Sequence, residues 1–521
     1  MPETNWMPKW RNDTRNTLNK LRPLRVHFTP MSIHASPKPM KNQTRRSFLK
    51  STALATAAVS WSARSWAQVD GANSDIRVAV VGFGGRGQDH LGGLSKVKGC
   101  RIAGLCDVDD AILGKEKTKW ADKGVTVEAF TDIRKLLDSK NVDVISIATP
   151  NHWHSLAAIW GIQAGKDVYV EKPVSHNVWE GRQLVEAARK HKRIVQTGTQ
   201  SRSSHAIKEA VQWVQGGNLG KVLVARGLCY KPRPSIGKVD GVQPVPAGVN
   251  YDLWCGPAPM DPIRRRRFHY DWHWFWNYGC GDLGNQGIHQ MDIARWFLGE
   301  GKLSPRILSV GGRLGYEDDG ETANTQIIYH DYDKAPLIFE VRGLPEAAGA
   351  KAMDSFPDKK IGGSIAVIVH CENGLVVVPN YSSATAYDKD GNEIKKWNGS
   401  KNHYENFINA VRSRKHTDLN ADILEGHLSS ALCHTGNISY RLGKKAKQGE
   451  LLEKLKGDKN HLEACERMFA HLRANNVDLD ATQASLGLPL KMDPATERFI
   501  GNDRANEMLT REYRKPYYFT V

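Results

Sequence analysis

The sequence predicts an α/β fold built on a doubly wound parallel sheet, and three observations carry that expectation. Val- and Ile-rich runs alternate with helical stretches from residue 76 onward, a glycine-rich turn closes the first run, and an aspartate closes the second. The runs are 76–82, 101–107, 125–130, 142–149, 167–171 and 193–198. They are nearly continuously apolar, as strands covered by helices on both faces of a sheet must be.

The first run ends in GFGGRG, which sets Gly82, Gly84 and Gly87 in the GxGxxG spacing around Phe83, Gly85 and Arg86. The first glycine permits a tight turn, the second lets the backbone approach a pyrophosphate, and the third lets the following helix pack on the strand with its N-terminus toward the anion. This is the Rossmann pattern. Asp107 follows Gly87 by 20 residues. A carboxylate there accepts hydrogen bonds from the ribose hydroxyls of NAD and repels the extra phosphate of NADP, so NAD is expected; Arg86 beside the loop keeps NADP as the alternative.

The chain has 521 residues, 25% charged and 40% hydrophobic, which excludes collagen, long disorder and a small disulfide scaffold. Its formal net charge of +17 first suggests a polyanionic partner. Residues 1–67, however, hold twelve Lys and Arg against two Asp and Glu, so +10 of the charge sits there and +7 is left for everything else. Within that leader, TRRSFLK (44–50) precedes an Ala-rich run and then SWAQ (65–68). Paired arginines, a mildly apolar run and a small-residue cleavage site make an export signal of the twin-arginine type, with cleavage expected after Ala67. The apolar run falls short of the roughly 20 residues of a spanning helix. The expectation is a protein delivered to the periplasm by the twin-arginine machinery, with neither nucleic acid nor membrane as partner. Translation starting at Met31 or Met40 would leave this reading intact. Twin-arginine export carries folded chains, which suits a tightly bound cofactor. The eight cysteines show no CxxC pair and no zinc-like spacing, and no metal is expected.

Two further segments, ATPNHWH (148–154) and VEKPVS (170–175), end the fourth and fifth runs, where a doubly wound sheet binds its ligand. With GFGGRG they resemble the Gfo/Idh/MocA family of oxidoreductases, and the similarity continues through HYENFINAVRSRK and EGHLSSALCHTGNISYRLG. The resemblance implies a Rossmann domain (68–200), then an α/β domain with an open, mostly antiparallel sheet that faces substrate and mediates assembly into dimers or tetramers (201–455), and an extension (456–521) packing back on the body. It implies that Lys172 lies between nicotinamide and substrate, where a partly buried ammonium has a lowered pKa and can relay a proton. Thr149, Pro150 and Asn151 would line the nicotinamide pocket, with His154 and Glu171 beside it.

The other half of the site is expected in NYGCGDLGNQGIHQMDIARW (277–296), where Ile288, Met291, Ile293 and Trp296 have helical spacing. On one helix, Asn285, His289 and Asp292 would recur along one face. The family pattern D-x-G-x-H-x-x-D maps onto Asn285, Gly287, His289 and Asp292, making His289 the candidate base and Asn285 a departure that can orient a hydroxyl but not take its proton. Asp282 could supply the missing carboxylate. The preceding RRRRFHYDWHWFWNYG (264–279) is dense in aromatics, among them Trp274 and Trp276, whose faces suit the C–H faces of a sugar. Further β-rich runs occur at 221–230, 306–311, 323–330, 337–341, 364–370 and 375–379, a Pro- and Gly-rich loop at 231–260, and helical spacing at 461–476.

These features predict an NAD-dependent oxidoreductase acting on a secondary alcohol of a sugar, glycoside or cyclitol. Two alternatives share its front end: a redox-assisted glycosidase or lyase, and a sugar–sugar transhydrogenase, each keeping NAD in place. A non-catalytic sugar-binding module is the alternative from a different class.

Overall fold

The computed structural model describes residues 75–357 and 359–521. The twin-arginine segment and its cleavage position lie outside the described residues.

Six strands form the first sheet: β1 (Ile76–Val81), β2 (Cys100–Cys106), β3 (Glu128–Phe130), β4 (Val144–Ile147), β5 (Asp167–Val170) and β6 (Val195–Thr197). They are all parallel, in the order β3-β2-β1-β4-β5-β6, so the chain reverses its winding direction between β1 and β4. Val78, Ala79, Val80, Val144, Ile145 and Ile147 are completely buried, which is why these runs lack a polar face. The helices follow from local chemistry. Asn177, for example, caps the helix Val178–Lys190 by accepting from the Glu180 N–H, and Arg189 and Lys190 sit at its negative end.

The second sheet contains β7 (Val222–Tyr230), β8 (Arg306–Gly312), β9 (Thr325–His330), β10 (Leu337–Arg342), β11 (Ile365–Cys371), β12 (Gly374–Val378), β13 (Ser383–Tyr387) and β14 (Glu393–Asn398), extended by β15 (Lys444–Lys445) and β16 (Ser485–Leu486). Its order is β14-β13-β12-β11-β7-β10-β9-β8-β16-β15; β17 (Leu490–Asp493) also pairs with β8, and β18 (Arg498–Phe499) with β17. Only β7 and β10 run parallel, so the sheet is mostly antiparallel, as the resemblance implies. Alternating residues separate its two faces. Ile328 and Phe339 pack toward the helices Ile288–Leu298 and Ile423–Arg441, whereas Ile327 and Ile338 meet the helices Gln448–Leu455 and Lys459–Ala474. Beyond residue 440, β15, β16 and β17 pair into this sheet, while the helices Gln448–Leu455 and Lys459–Ala474 cover one of its faces.

The helix Ile423–Arg441 joins the two sheets. Ile423 belongs to the core around the parallel sheet, and Leu428, Ala431 and Leu432 belong to the core of the second. All eight cysteines are buried thiols.

Many buried side chains are titratable. Burial holds His152, His289 and His330 at about 3, and His434 and His461 at about 4. In the unfolded chain each takes up a proton near pH 6.5, so that state binds more protons between about 6.5 and 3–4, and stability falls as pH drops through this window. Burial alone would raise Glu340 and Glu497. The Arg467, Arg342 and Arg226 charges instead hold Glu340 at about 2, and His427 and Arg182 hold Glu497 at about 2. Their stabilisation, present above the unfolded value near 4.5, is lost down to about 2. We expect calorimetric Tm to fall by on the order of 10 °C between pH 7 and pH 4; a constant Tm over that range would contradict the buried, uncharged imidazoles.

Candidate active site at the carboxyl ends of the parallel sheet

A cleft of about 310 Å³ runs along the carboxyl ends of β1, β2, β4 and β5, at the reversal point of the winding. Gly82 opens it with φ +77°, and a Cβ on Gly87 would stand 2.0 Å from the Gly82 carbonyl oxygen. Only a glycine allows the helix Gly87–Leu94 to start so close to the strand. Phe83, Gly84, Gly85 and Arg86 also line the cleft. Asp107 is tied to the loop: its carboxylate accepts from the Phe83 N–H (3.0 Å) and the Asp109 N–H (3.1 Å). Burial raises its pKa, against the pull of those hydrogen bonds.

At the other end lie Thr149, Pro150 and Asn151, His154, Glu171 and Lys172. Among the described residues, buried Thr149 Oγ1 and Asn151 Oδ1 have no partner, an unmet demand that a polar carboxamide on the ligand would satisfy. Together with the glycine loop and Asp107, these residues fit a dinucleotide. His154 faces the Pro173 carbonyl with Nδ1 (2.6 Å) and the Thr149 carbonyl with Nε2 (2.8 Å), so it ties two cleft-forming loops together and has no ring nitrogen left for the ligand. Glu171 is likewise occupied: His90 Nε2 (3.1 Å), Arg86 Nε (3.1 Å), Gln200 Nε2 (3.2 Å) and the Lys172 N–H (3.1 Å) all meet its carboxylate. Burial would raise its pKa, yet His90, Arg86 and Lys172 hold it well below the usual carboxylate range. Arg86 also pairs with Asp89, which draws its guanidinium away from the Asp107 end where a 2′-phosphate would sit.

Lys172 follows Glu171, and its Nζ donates to the Asn285 carbonyl at 2.7 Å, across to the second domain. Burial lowers the ammonium's pKa, partly offset by Glu171. Asn285 thus meets Lys172 through its backbone, not its amide. The expected single helix is also interrupted: Leu283–Gly287 forms a π-turn, and the α-helix begins at Ile288. A turn closed from i to i+5 rotates Asn285 off the line of His289 and Asp292.

The remaining expectations need correction. His289 is 6% exposed and sits behind the cleft wall rather than lining it, with Nδ1 unpartnered and its ring 4.9 Å from that of Tyr381. Burial, reinforced by the Lys172 charge, lowers it to about 3, far from its ordinary value. Asp282 does not serve His289, because both its oxygens bind Arg233 at 2.9 Å. Asp292 is consumed by Arg202 (2.8 and 2.9 Å) and Ser429 (2.7 Å). Trp274 packs under Arg233 and Trp276 under Arg441, and neither lines the cleft.

The rings of this run that do line it are His269, Tyr270, Trp272 and His273, with Leu253 and Trp254 from the short helix Tyr251–Cys255. Asp271–Trp274 is a 3₁₀ turn, and the His273 ring packs against Trp272 (centroids 3.7 Å apart) and Tyr270 (4.9 Å). The aromatic run signalled a pocket, but not which rings would face it. This segment straps the nucleotide end of the cleft. Val249 bridges Asp109, the Gly248 carbonyl accepts from the Asp110 N–H (3.1 Å), the Val108 carbonyl accepts from the Asn250 N–H (3.0 Å), and His269 Nε2 donates to Asp109 Oδ2 (2.9 Å). Behind the strap, Tyr517 and Arg514 both bind Asp252.

Comparison with known proteins agrees with this architecture. The Gfo/Idh/MocA profile of an oxidoreductase family with an NAD-binding Rossmann fold matches residues 76–199, and the profile of that family's C-terminal alpha/beta domain matches residues 206–350. Inositol 2-dehydrogenase of Salmonella typhimurium is 27% identical over 157 residues, 30% of this chain and 46% of that protein. Glycosyl hydrolase family 109 protein 2 of Shewanella sp. is 31% identical over 171 residues, 29% of this chain and 38% of that protein. The chain therefore spans about half or less of the length of these curated relatives. Among solved structures, the WlbA dehydrogenase from Bordetella pertussis, in complex with NADH and UDP-GlcNAcA, shares the fold with TM-score 0.50 and 20% identity over 69% of this chain and 94% of that one. A parallel sheet with its glycine loop, a second mixed sheet, and the two family profiles in succession lead to one conclusion: the chain belongs to the Gfo/Idh/MocA family of oxidoreductases.

Proposed function

We propose that the protein is an NAD-dependent oxidoreductase that oxidises or reduces a secondary alcohol of a sugar, glycoside or cyclitol. The observation that carries this reading is Lys172: an ammonium of lowered pKa at the end of β5, in a cleft built for a dinucleotide and bonded across to the second domain. The inositol dehydrogenases among the relatives support the substrate class. Bound NAD supplies the acceptor for the hydride that leaves the carbinol carbon. Lys172, in its neutral form, takes the hydroxyl proton. Glu171 holds Lys172 in place without reaching the substrate.

The strap favours a cofactor that stays bound through many turnovers, and this keeps a second reading in view: redox-neutral cleavage of a glycoside, or transfer of hydride between two sugars, as export to a compartment poor in free NAD would demand. We read residues 1–67 as the twin-arginine leader that takes the folded protein to the periplasm.

Three outcomes test these proposals. With a sugar and cyclitol panel, absorbance at 340 nm should rise. Oxidation should speed up with pH toward the lowered pKa of Lys172, since the neutral amine is the proton acceptor, and Lys172→Ala should slow it by ~10²–10⁴-fold with nucleotide still bound. Cleaved glycoside without net NADH would favour the second reading, and unchanged turnover would remove Lys172 from the mechanism. His269→Ala should release bound nucleotide about tenfold faster in a chase experiment, because its hydrogen bond to Asp109 is one of the strap's anchors; an unaltered rate would leave the strap without a role in retention. N-terminal sequencing of exported protein should begin at Gln68, and a product retaining Arg45 and Arg46 would refute the leader reading.

A further inference from the structure

Beside Lys172 lies a group of polar side chains that the proton chemistry does not use. Lys231 Nζ donates to Gln286 Oε1 (3.0 Å), and Gln286 Nε2 donates to Tyr381 Oη (2.8 Å). Gln286 adjoins Asn285, whose carbonyl holds Lys172, and Tyr381 lies against the ring of His289. Lys231, the π-turn and the β12–β13 connection therefore converge on one spot next to the reacting groups. Lys231 is close enough to depress the pKa of Lys172.

The charge balance there is lopsided. The charges that act most on Lys172 are those of Glu171, Arg86, Asp282 and Lys231, and the imidazoles of His154, His273 and His289 also feel its charge. Glu171 is engaged by His90, Arg86 and Gln200, and both oxygens of Asp282 are held by Arg233. Among the described residues no carboxylate pairs with Lys231, whose one protein partner is the neutral amide of Gln286. Lys231 is half-buried, so this unpaired ammonium is only partly compensated by water. Gln286 accepts from Lys231 and donates to Tyr381 Oη, which leaves the phenol proton and the remaining ammonium protons as donors.

On the oxidoreductase reading above, we propose that the substrate is an acidic sugar, a uronate or aldonate, whose carboxylate is received by Lys231 and Tyr381 while its reacting carbinol lies at Lys172. One ammonium and one phenol match the single charge and two oxygens of a carboxylate. A phosphate group presents three oxygens and up to two charges, more than one ammonium and one phenol answer, and the nearby guanidiniums of Arg86 and Arg233 are already bound to Glu171 and Asp282.

Titration calorimetry on the nucleotide-containing holoenzyme tests this, with D-glucuronate, D-galacturonate, their methyl esters, the parent hexoses and glucose 6-phosphate as probes. The uronates should bind at least about tenfold more tightly than their esters, and the ratio should shrink in high salt. Lys231→Gln should collapse the uronate-to-ester ratio toward one, with bound nucleotide and Tm retained as evidence of folding, and Lys231→Arg should restore most of it. Equal affinity for uronates and esters, a ratio unaffected by Lys231→Gln, or tighter binding of the sugar phosphate would each overturn the proposal. Reduction of the nucleotide by neutral sugars with no uronate preference would sink it and leave the oxidoreductase reading standing. Selective uronate binding without any 340 nm change would uphold the acidic-sugar site and sink that reading.

Discussion

The buried carboxylate of Glu171 is the constraint on which the rest of the site depends. It sits at the end of β5, 3% exposed, and such a charge survives burial only if several donors compensate it. His90 reaches it from the first helix, Arg86 from the glycine loop and Gln200 from beyond β6. One anion thereby draws together three segments that each contribute a wall of the cleft. The same carboxylate accepts the Lys172 N–H, so the position of the neighbouring ammonium is inherited from it.

From that anchor the site is built outward by contacts between the two sheets. Lys172 crosses to the Asn285 carbonyl on a π-turn, and the turn leans on β10 through Gly287 against Phe339. The strap crosses the other way and binds Val108, Asp109 and Asp110 at the far end of the cleft. The cleft is a property of both halves: the first supplies the glycine loop and Asp107, the second supplies the aromatic roof. A roof fastened by main-chain hydrogen bonds opens only when several of them break together.

Much of the fold is readable along the chain because the relevant forces are local or periodic. The six parallel strands fall within a few residues of the apolar runs, since burial on both faces leaves no room for polar residues. β13 and β14 escape such reading. β14 is an edge strand in which only Trp397 is buried, and its Glu393, Lys395 and Lys396 carry no apolar alternation to detect. β15, β16 and β18 have two residues each, too few to show any period.

In the site, the division is the same. The sequence by itself determined the glycine loop, the aspartate after β2 and the Glu171–Lys172 pair at a strand end, because steric need and strand polarity specify them within some 20 residues. The tertiary structure alone decided which carboxylates were free. Asp282 and Asp292 look available in the sequence, but arginines 49 and 90 residues away, Arg233 and Arg202, claim them. It also decided which rings face the cleft, since Trp272 and His273 line it while Trp274 turns to the Arg233 guanidinium. Lys231 and Tyr381 acquire meaning only when β7 and the β12–β13 connection are brought against the π-turn. A side chain's type and period are written locally, whereas the partner that neutralises or exposes it is chosen by packing across the whole chain.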